Sequence, residues 1–178
     1  MVMSLAAKAQ NEVGQITLKP LVGINLANVT DIDDADMRVG LAAGVEAEFG
    51  IAEKFGVTAG AIYSMQGIKD GKLDYINIPI LANYYVIPGL AIKAGIQPAF
   101  KVSAKYSYEE NDMGDIEKGD GDLDGVKGFD LSIPVGVSYE YNNFVLDARY
   151  NFGVTKVADW SKSKNSVFQI TLGYKFSL

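Results

Sequence analysis

Asp147 and Arg149 stand two residues apart in the run Val145-Leu146-Asp147-Ala148-Arg149-Tyr150. In an extended strand that spacing puts both side chains on one face, where carboxylate and guanidinium can pair. Glu46, Lys93, Lys101 and Lys175 sit in the same kind of setting, each flanked on both sides by apolar residues. Glu48 and Glu140 could complete such a set. Charges gathered on one otherwise apolar scaffold can do two things. Paired, they can fill a narrow interior; less tightly paired, they can line a gated ion path. A buried charge that loses its partner costs about 3–5 kcal/mol, so Arg149→Ala is expected to destabilise the fold.

A second group is acidic. The segment from Tyr106 to Gly128 holds Glu109, Glu110, Asp112, Asp115, Glu117, Asp120, Asp122 and Asp124 against Lys118 and Lys127. Within it, Asp120-Gly121-Asp122-Leu123-Asp124-Gly125 matches the opening of a D-x-D-x-D-G calcium loop. Leu131 stands at the twelfth position, where such a loop needs a bidentate Glu. Asp120, Asp122 and Asp124 therefore offer weak Ca2+ binding at most; the alternative is a solvated acidic loop. No other cofactor is implied. Asp31, Asp33, Asp34 and Asp36 form another acidic tip, able to share cations with anionic lipid head groups. Trp160, amid Lys156, Lys162 and Lys164, is suited to anchoring at a membrane interface or to touching a partner.

Some chemistry is excluded by composition. The 178 residues include no His and no Cys, which removes the commonest general base and thiolate metal sites. A Ser–Lys or carboxylate-only site has no support in spacing. The reading is therefore of a protein that is not an enzyme. The net charge of −6 argues against nucleic acid as a partner.

The elements that must carry these residues are strands. From Phe168 to Leu178 the even positions read Phe, Ile, Leu, Tyr, Phe, Leu, and the odd ones Gln, Thr, Gly, Lys, Ser. A period of two is the mark of a strand with one apolar and one polar face. Similar segments run from Ile16 to Leu26, Arg38 to Phe49, Phe55 to Met65, Lys72 to Val86, Leu90 to Lys105, Phe129 to Tyr141 and Phe144 to Val154. Most are about 11–13 residues long, well beyond the usual strand of about 5–6. Hydrophobic residues make up 48% of the chain, yet mean hydropathy is only +0.08. Strands that are oily on alternate positions produce that combination, and no apolar run reaches the roughly 18 residues of a membrane-spanning helix.

Connections alternate between tight turns (Gly50 to Lys54, Ile87 to Gly89, Asn142-Asn143) and longer loops (Asn28 to Met37, Gln66 to Gly71, Tyr106 to Gly128, Thr155 to Asn165). Apolar-face aromatics gather at strand ends. Phe49, Phe55, Tyr84, Tyr141, Phe144, Tyr174 and Phe176 lie near the tight turns, and Tyr63, Phe100, Phe129, Tyr150, Phe152 and Phe168 towards the long loops. Two aromatic belts around an aliphatic band match the two interfaces of a bilayer. A soluble, ligand-carrying barrel would instead turn the apolar face inward and has no reason to sort side chains by height. The expected fold is all-β: an eight-stranded antiparallel up-and-down transmembrane β-barrel. Strands of about 12 residues at about 3.4 Å each, tilted by about 40°, cover roughly 30 Å.

Residues 1–9 are expected to be a signal-peptide remnant or a flexible start, since Ala7-Lys8-Ala9 has the small-x-small form of an export cleavage site. Residues 10–178 form the single barrel domain.

Several motifs then resemble one family, the outer-membrane β-barrel domain proteins common in Bacteroidota (small OmpA/OmpX-like barrels). Leu73-Asp74-Tyr75-Ile76-Asn77-Ile78-Pro79-Ile80-Leu81 resembles its "L-x-Y-L-E-I-P-L-L" strand, with Asn77 where Glu is usual. Tyr63-Ser64-Met65-Gln66-Gly67 is similar to its "Y-S-Q-K-G". Asp147 to Gly153 resembles "D-x-R-Y-x-x-G", and Leu172 to Phe176 its closing "L-G-Y-x-F", here followed by Ser177-Leu178. The resemblance implies a Gram-negative outer-membrane location and an eight-stranded barrel, and little about activity. The expected role is envelope structure or surface interaction through long acidic loops. The expected partners are outer-membrane lipid and lipopolysaccharide, with an extracellular protein or surface ligand at the loops, and the protein acting as a monomer. A small, mostly closed porin-like channel is the alternative.

Overall fold

The computed structural model describes residues 12–30, 37–68, 71–112, 115–122, 124–159 and 162–178; for Val29 and residues 107–112 and 115–120 it describes the backbone alone. The strands are β1 (Ile16–Val29), β2 (Arg38–Ala52), β3 (Phe55–Gly67), β4 (Gly71–Asn77), β5 (Ile80–Ile87), β6 (Leu90–Asp112), β7 (Asp115–Asp122), β8 (Phe129–Tyr141), β9 (Phe144–Gly153), β10 (Asn165–Tyr174) and β11 (Phe176–Ser177). Their antiparallel pairing closes on itself, because β1 pairs β2 on one side and both β10 and β11 on the other. Counted as walls, β4 with β5 is one and β10 with β11 is one, while β7 lies off the ring; the barrel has eight strands. Closure leaves no open edge, as lipid requires.

Both split walls have local causes. Pro79 lacks an N–H and interrupts the wall between β4 and β5. The seam still holds, since Gly60 N–H donates to Pro79 O (3.1 Å) and Ile78 N–H to Pro98 O (2.8 Å). At Lys175, the backbone N–H turns to Asn143 O (2.8 Å), and the Asn143 amide donates back to Lys175 O (2.9 Å). The Asn142-Asn143 turn has φ of 48° and 71°, the left-handed pair that a two-residue hairpin takes.

The faces fall as the alternation predicts. Leu172 is 50% exposed and Val39 67%, whereas Asp147 is 1% exposed and Arg149 2%. An exterior of Val, Ile, Leu and aromatics around an interior of Lys, Arg, Asp, Glu, Asn and Gln inverts a soluble protein. Only an apolar solvent favours it. Register sorts the aromatics by height. Phe55 opposes Tyr84 and Phe144 opposes Tyr174 at the tight-turn end, while Phe100 opposes Phe129 at the loop end, each pair with rings in contact. Between the belts lie pairs such as Leu172–Leu146, Val22–Ala43 and Val137–Ala148.

The chief departure from expectation is the acidic segment. Instead of a loop beginning at Tyr106, β6 continues to Asp112 and returns as β7, a hairpin projecting past the barrel in which Lys105 opposes Asp122 and Glu109 opposes Lys118. Residues 1–9, the acidic tip at Asp31 to Asp36 and Trp160 lie outside the described residues.

Candidate functional site: lumen and loop-end cap

Two cation–carboxylate clusters cross the lumen. In the first, Arg149 on β9 donates from Nε to Asp147 Oδ1 (2.8 Å) and from Nη1 to Glu46 Oε1 on β2 (2.8 Å). Lys93 of β6 reaches Asp147 Oδ2 at 2.8 Å. Lys19 of β1 reaches Glu46 Oε2 at 2.7 Å and Asp147 Oδ2 at 3.9 Å. Five side chains from four strands thus tie opposite walls together. Room for them comes from glycine. Gly136 lies between Lys93 and Arg149 in register, and a Cβ there would stand 2.7 Å from Arg149 Cβ. Gly60, the register partner of Glu46, likewise leaves space for the Glu46 stem.

The second cluster lies nearer the tight turns. Lys175 Nζ is 2.8 Å from Glu140 Oε2, 3.4 Å from Glu48 Oε2 and 3.3 Å from the Tyr85 hydroxyl, which itself donates to Glu48 (2.6 Å). Lys19, Lys93, Arg149 and Lys175 face Glu46, Glu48, Glu140 and Asp147, so the charges of the two clusters cancel. All eight residues are buried.

Of the six charges named from the sequence, Glu46, Lys93, Asp147 and Arg149 come together, and Lys175 anchors the other cluster. Lys101 joins neither. It is eight residues beyond Lys93 on the same strand, about 27 Å along it. Its ammonium instead donates to Val126 O (2.7 Å) at the loop end. Lys19 was legible as a polar-face residue, but only its register with Glu46 reveals the pairing.

Towards the loops the lumen changes character. Asn25 donates to Ser64 (2.9 Å), and Gln66 to Ser64 (3.0 Å) and Asn77 (3.3 Å). Above these amides a bulge between Asp74 and Tyr75 lets β6 shift against β4. Leu73 and Tyr75, on the same face of β4 as Asn77, and Ala99, on the same face of β6 as Gln97, form an apolar cluster with Val157, edged by Ile68, Ala104 and Val126. Val157 belongs to the last loop, which folds over the mouth. Lys127 N–H donates to Val157 O (3.0 Å), Val157 N–H to Ser163 O (2.9 Å), and Ala158 bridges Val126. Beneath this cap, Asp130 accepts from the Thr155 hydroxyl (2.5 Å) and the Asn165 amide (3.2 Å), and Leu131 N–H donates to Thr155 Oγ1 (2.9 Å). On the rim, Arg38 donates to Gln66 O (2.6 Å) and Asp74 (3.1 Å), and Tyr63 donates to Asp74 (2.9 Å).

Of the calcium-loop residues, Asp122 and Asp124 are exposed, and the side chain of Asp120 is outside the described set. No trio of acidic side chains converges on one point among the described residues.

A closed barrel, oily outside, ionic inside and belted by aromatics at two heights, is an integral barrel of the bacterial outer membrane. The chain belongs to the family described as the outer membrane protein beta-barrel domain, whose pattern it matches over residues 8–159. No curated protein is recognisably similar in sequence. Among solved structures, it is similar to Ail, the attachment invasion locus protein of Yersinia pestis, in complex with the heparin analogue sucrose octasulfate. That match has a TM-score of 0.58 at 15% identity, over 93% of this chain and 100% of that one. It is also similar to Neisserial surface protein A, with a TM-score of 0.51 at 16% identity, over 90% of this chain and 97% of that one. At these identities the likeness is one of fold.

Proposed function

We propose that this outer-membrane barrel is neither a channel nor an enzyme, and that it acts through what it presents at the loop end, in envelope structure or surface contact. The observation that carries this reading is the filled lumen. Four cations and four carboxylates are mutually paired and buried. An ion entering would have to break bonds each costing several kcal/mol to lose. The apolar cap over the mouth is a second barrier. Eight strands leave an interior just wide enough for side chains, and here they occupy it.

The ligand class at the loops follows from charge. The Ail structure holds a polyanion, sucrose octasulfate. The loop end of this chain carries the β6–β7 hairpin, whose segment from Tyr106 to Gly128 has eight acids and two lysines. Such a surface repels polyanions and suits cations or a basic protein face. Weak Ca2+ binding by Asp120, Asp122 and Asp124 is part of this reading; calorimetry without heat on Ca2+ addition would remove it.

The test of the whole is planar-bilayer recording of the refolded protein. No steady single-channel steps are expected. Regular steps that persist across preparations and vanish on boiling the sample would replace this reading with the closed-porin alternative.

A further inference from the structure

Asp130 is a buried carboxylate that stands outside the charge pairing among the described residues. It is 4% exposed, and no Lys or Arg among the described residues lies within ion-pair reach of it. Its neighbours are neutral: the Thr155 hydroxyl, the Asn165 amide and, close by, the Tyr75 hydroxyl. Two of these present atoms with no partner. Asn165 is 3% exposed and its Oδ1, which can only accept, is unmatched; the buried Tyr75 hydroxyl lies beside the Asn165 side chain without a bond of ordinary geometry.

Both carboxylate oxygens accept bonds from neutral donors, but no cation lies in ion-pair reach, and the carbonyl oxygen of Asn165 has no donor. Four elements supply its oxygens: β4 (Tyr75), β8 (Asp130), the last loop (Thr155) and β10 (Asn165). We propose that this pocket beneath the cap binds a monovalent metal cation of about sodium size, with Asp130 and Asn165 Oδ1 as direct ligands and the Tyr75 hydroxyl as a third oxygen. The ligand chemistry sets the class. All donors are hard oxygens, and a single carboxylate gives a site charge of −1, which one monovalent ion neutralises; a divalent ion needs more anionic ligands to be held well. Of the calcium-loop acids, Asp122 and Asp124 lie elsewhere and are exposed.

The site has a structural consequence. Thr155 lies two residues before Val157, and its hydroxyl joins Asp130 to the Leu131 N–H. A cation bound here fixes the oxygens that hold the loop down, so occupancy and cap closure rise together.

The test uses the full chain refolded in detergent micelles at fixed pH, in sodium, potassium or N-methylglucamine chloride at equal ionic strength. Two quantities are read: the urea unfolding midpoint, and hydrogen exchange at the amides of Lys127 and Val157, which bond within the cap. Sodium at about ten times its Kd is expected to raise the folded-to-unfolded ratio roughly tenfold over N-methylglucamine. It is also expected to slow exchange at both amides. Asp130→Asn, which keeps the shape and hydrogen-bonding capacity, is expected to fold and to lose both responses. Asn165→Ser is the second variant, expected to weaken the response without removing the carboxylate. Three outcomes would each overturn the site: identical wild-type behaviour in all three salts, as for a carboxyl held by protonation; an equal sodium effect in Asp130→Asn, which would assign it to the acidic surface; and exchange at the cap that ignores the cation.

Discussion

At the scale of single residues, the lumen works by alternating the largest polar side chains with none at all. Arg149 is fully enclosed because Gly136 opposite it has no side chain. Removing the guanidinium leaves Asp147 with Lys93 and Glu46 with Lys19, each short of its strongest donor. Arg149→Ala is therefore expected to cost about 3–5 kcal/mol, read as a lower urea midpoint for the barrel refolded into lipid vesicles. Filling the gap should also hurt. A Cβ at Gly136 would stand 2.3 Å from Ala148 O, so Gly136→Ala must displace backbone and is expected to cost about 1–3 kcal/mol. Gly128→Ala is the control, since nothing lies within 4 Å of its Cβ position. Equal effects at the two glycines would contradict the packing described. Residue types made four members of the first cluster readable, because a charge between two apolar neighbours in a strand must face the lumen. Partners were not readable. Lys101 and Lys93 share a pattern, and only height along the wall separates them; Lys19 needed the register with Glu46.

At the scale of elements, alternation was legible wherever one face meets lipid, and failed in the β6–β7 hairpin, where polar residues occupy both sets of positions. From Tyr106 to Asp122 the chain is polar on alternate and intervening positions alike, so the β6–β7 hairpin has no period of two to reveal it. The β4–β5 wall reads as one strand because its alternation runs through Pro79, which interrupts the hydrogen bonding without changing the face. Turn chemistry, by contrast, was visible. Asn142 and Asn143 both hold positive φ, which Asn tolerates better than other residues with a side chain. Replacing both by Ala is expected to destabilise the β8–β9 hairpin by about 1–2 kcal/mol per residue. Asn143→Gly should be neutral or slightly stabilising. Refolding yield by heat-modifiability on gels, followed by urea titration, measures both; an alanine pair with wild-type stability would mean that the turn has another conformation.

At the scale of the whole molecule, the sorting of residues by height turns a barrel into a membrane protein. Along β8, Phe129 marks the loop-end belt and Tyr139 with Tyr141 the turn-end belt, with Ile133, Val135 and Val137 outward between them. Val135 therefore lies near the middle of the apolar slab and Tyr141 at its boundary. Both are exposed on the outer surface, so in water an arginine at either position would be harmless. In lipid the two positions differ. A cation at the midplane has no water within reach, whereas one at the belt extends to the head groups. Val135→Arg is expected to cost about 2–4 kcal/mol and Tyr141→Arg about 0–1 kcal/mol, apart from the lost ring contacts. Folding titrations of both variants into phosphatidylcholine vesicles give the two numbers. If Arg were tolerated equally at both heights, the outward face would not be a lipid face, and the neutral lumen would lose the environment that makes its pairing necessary.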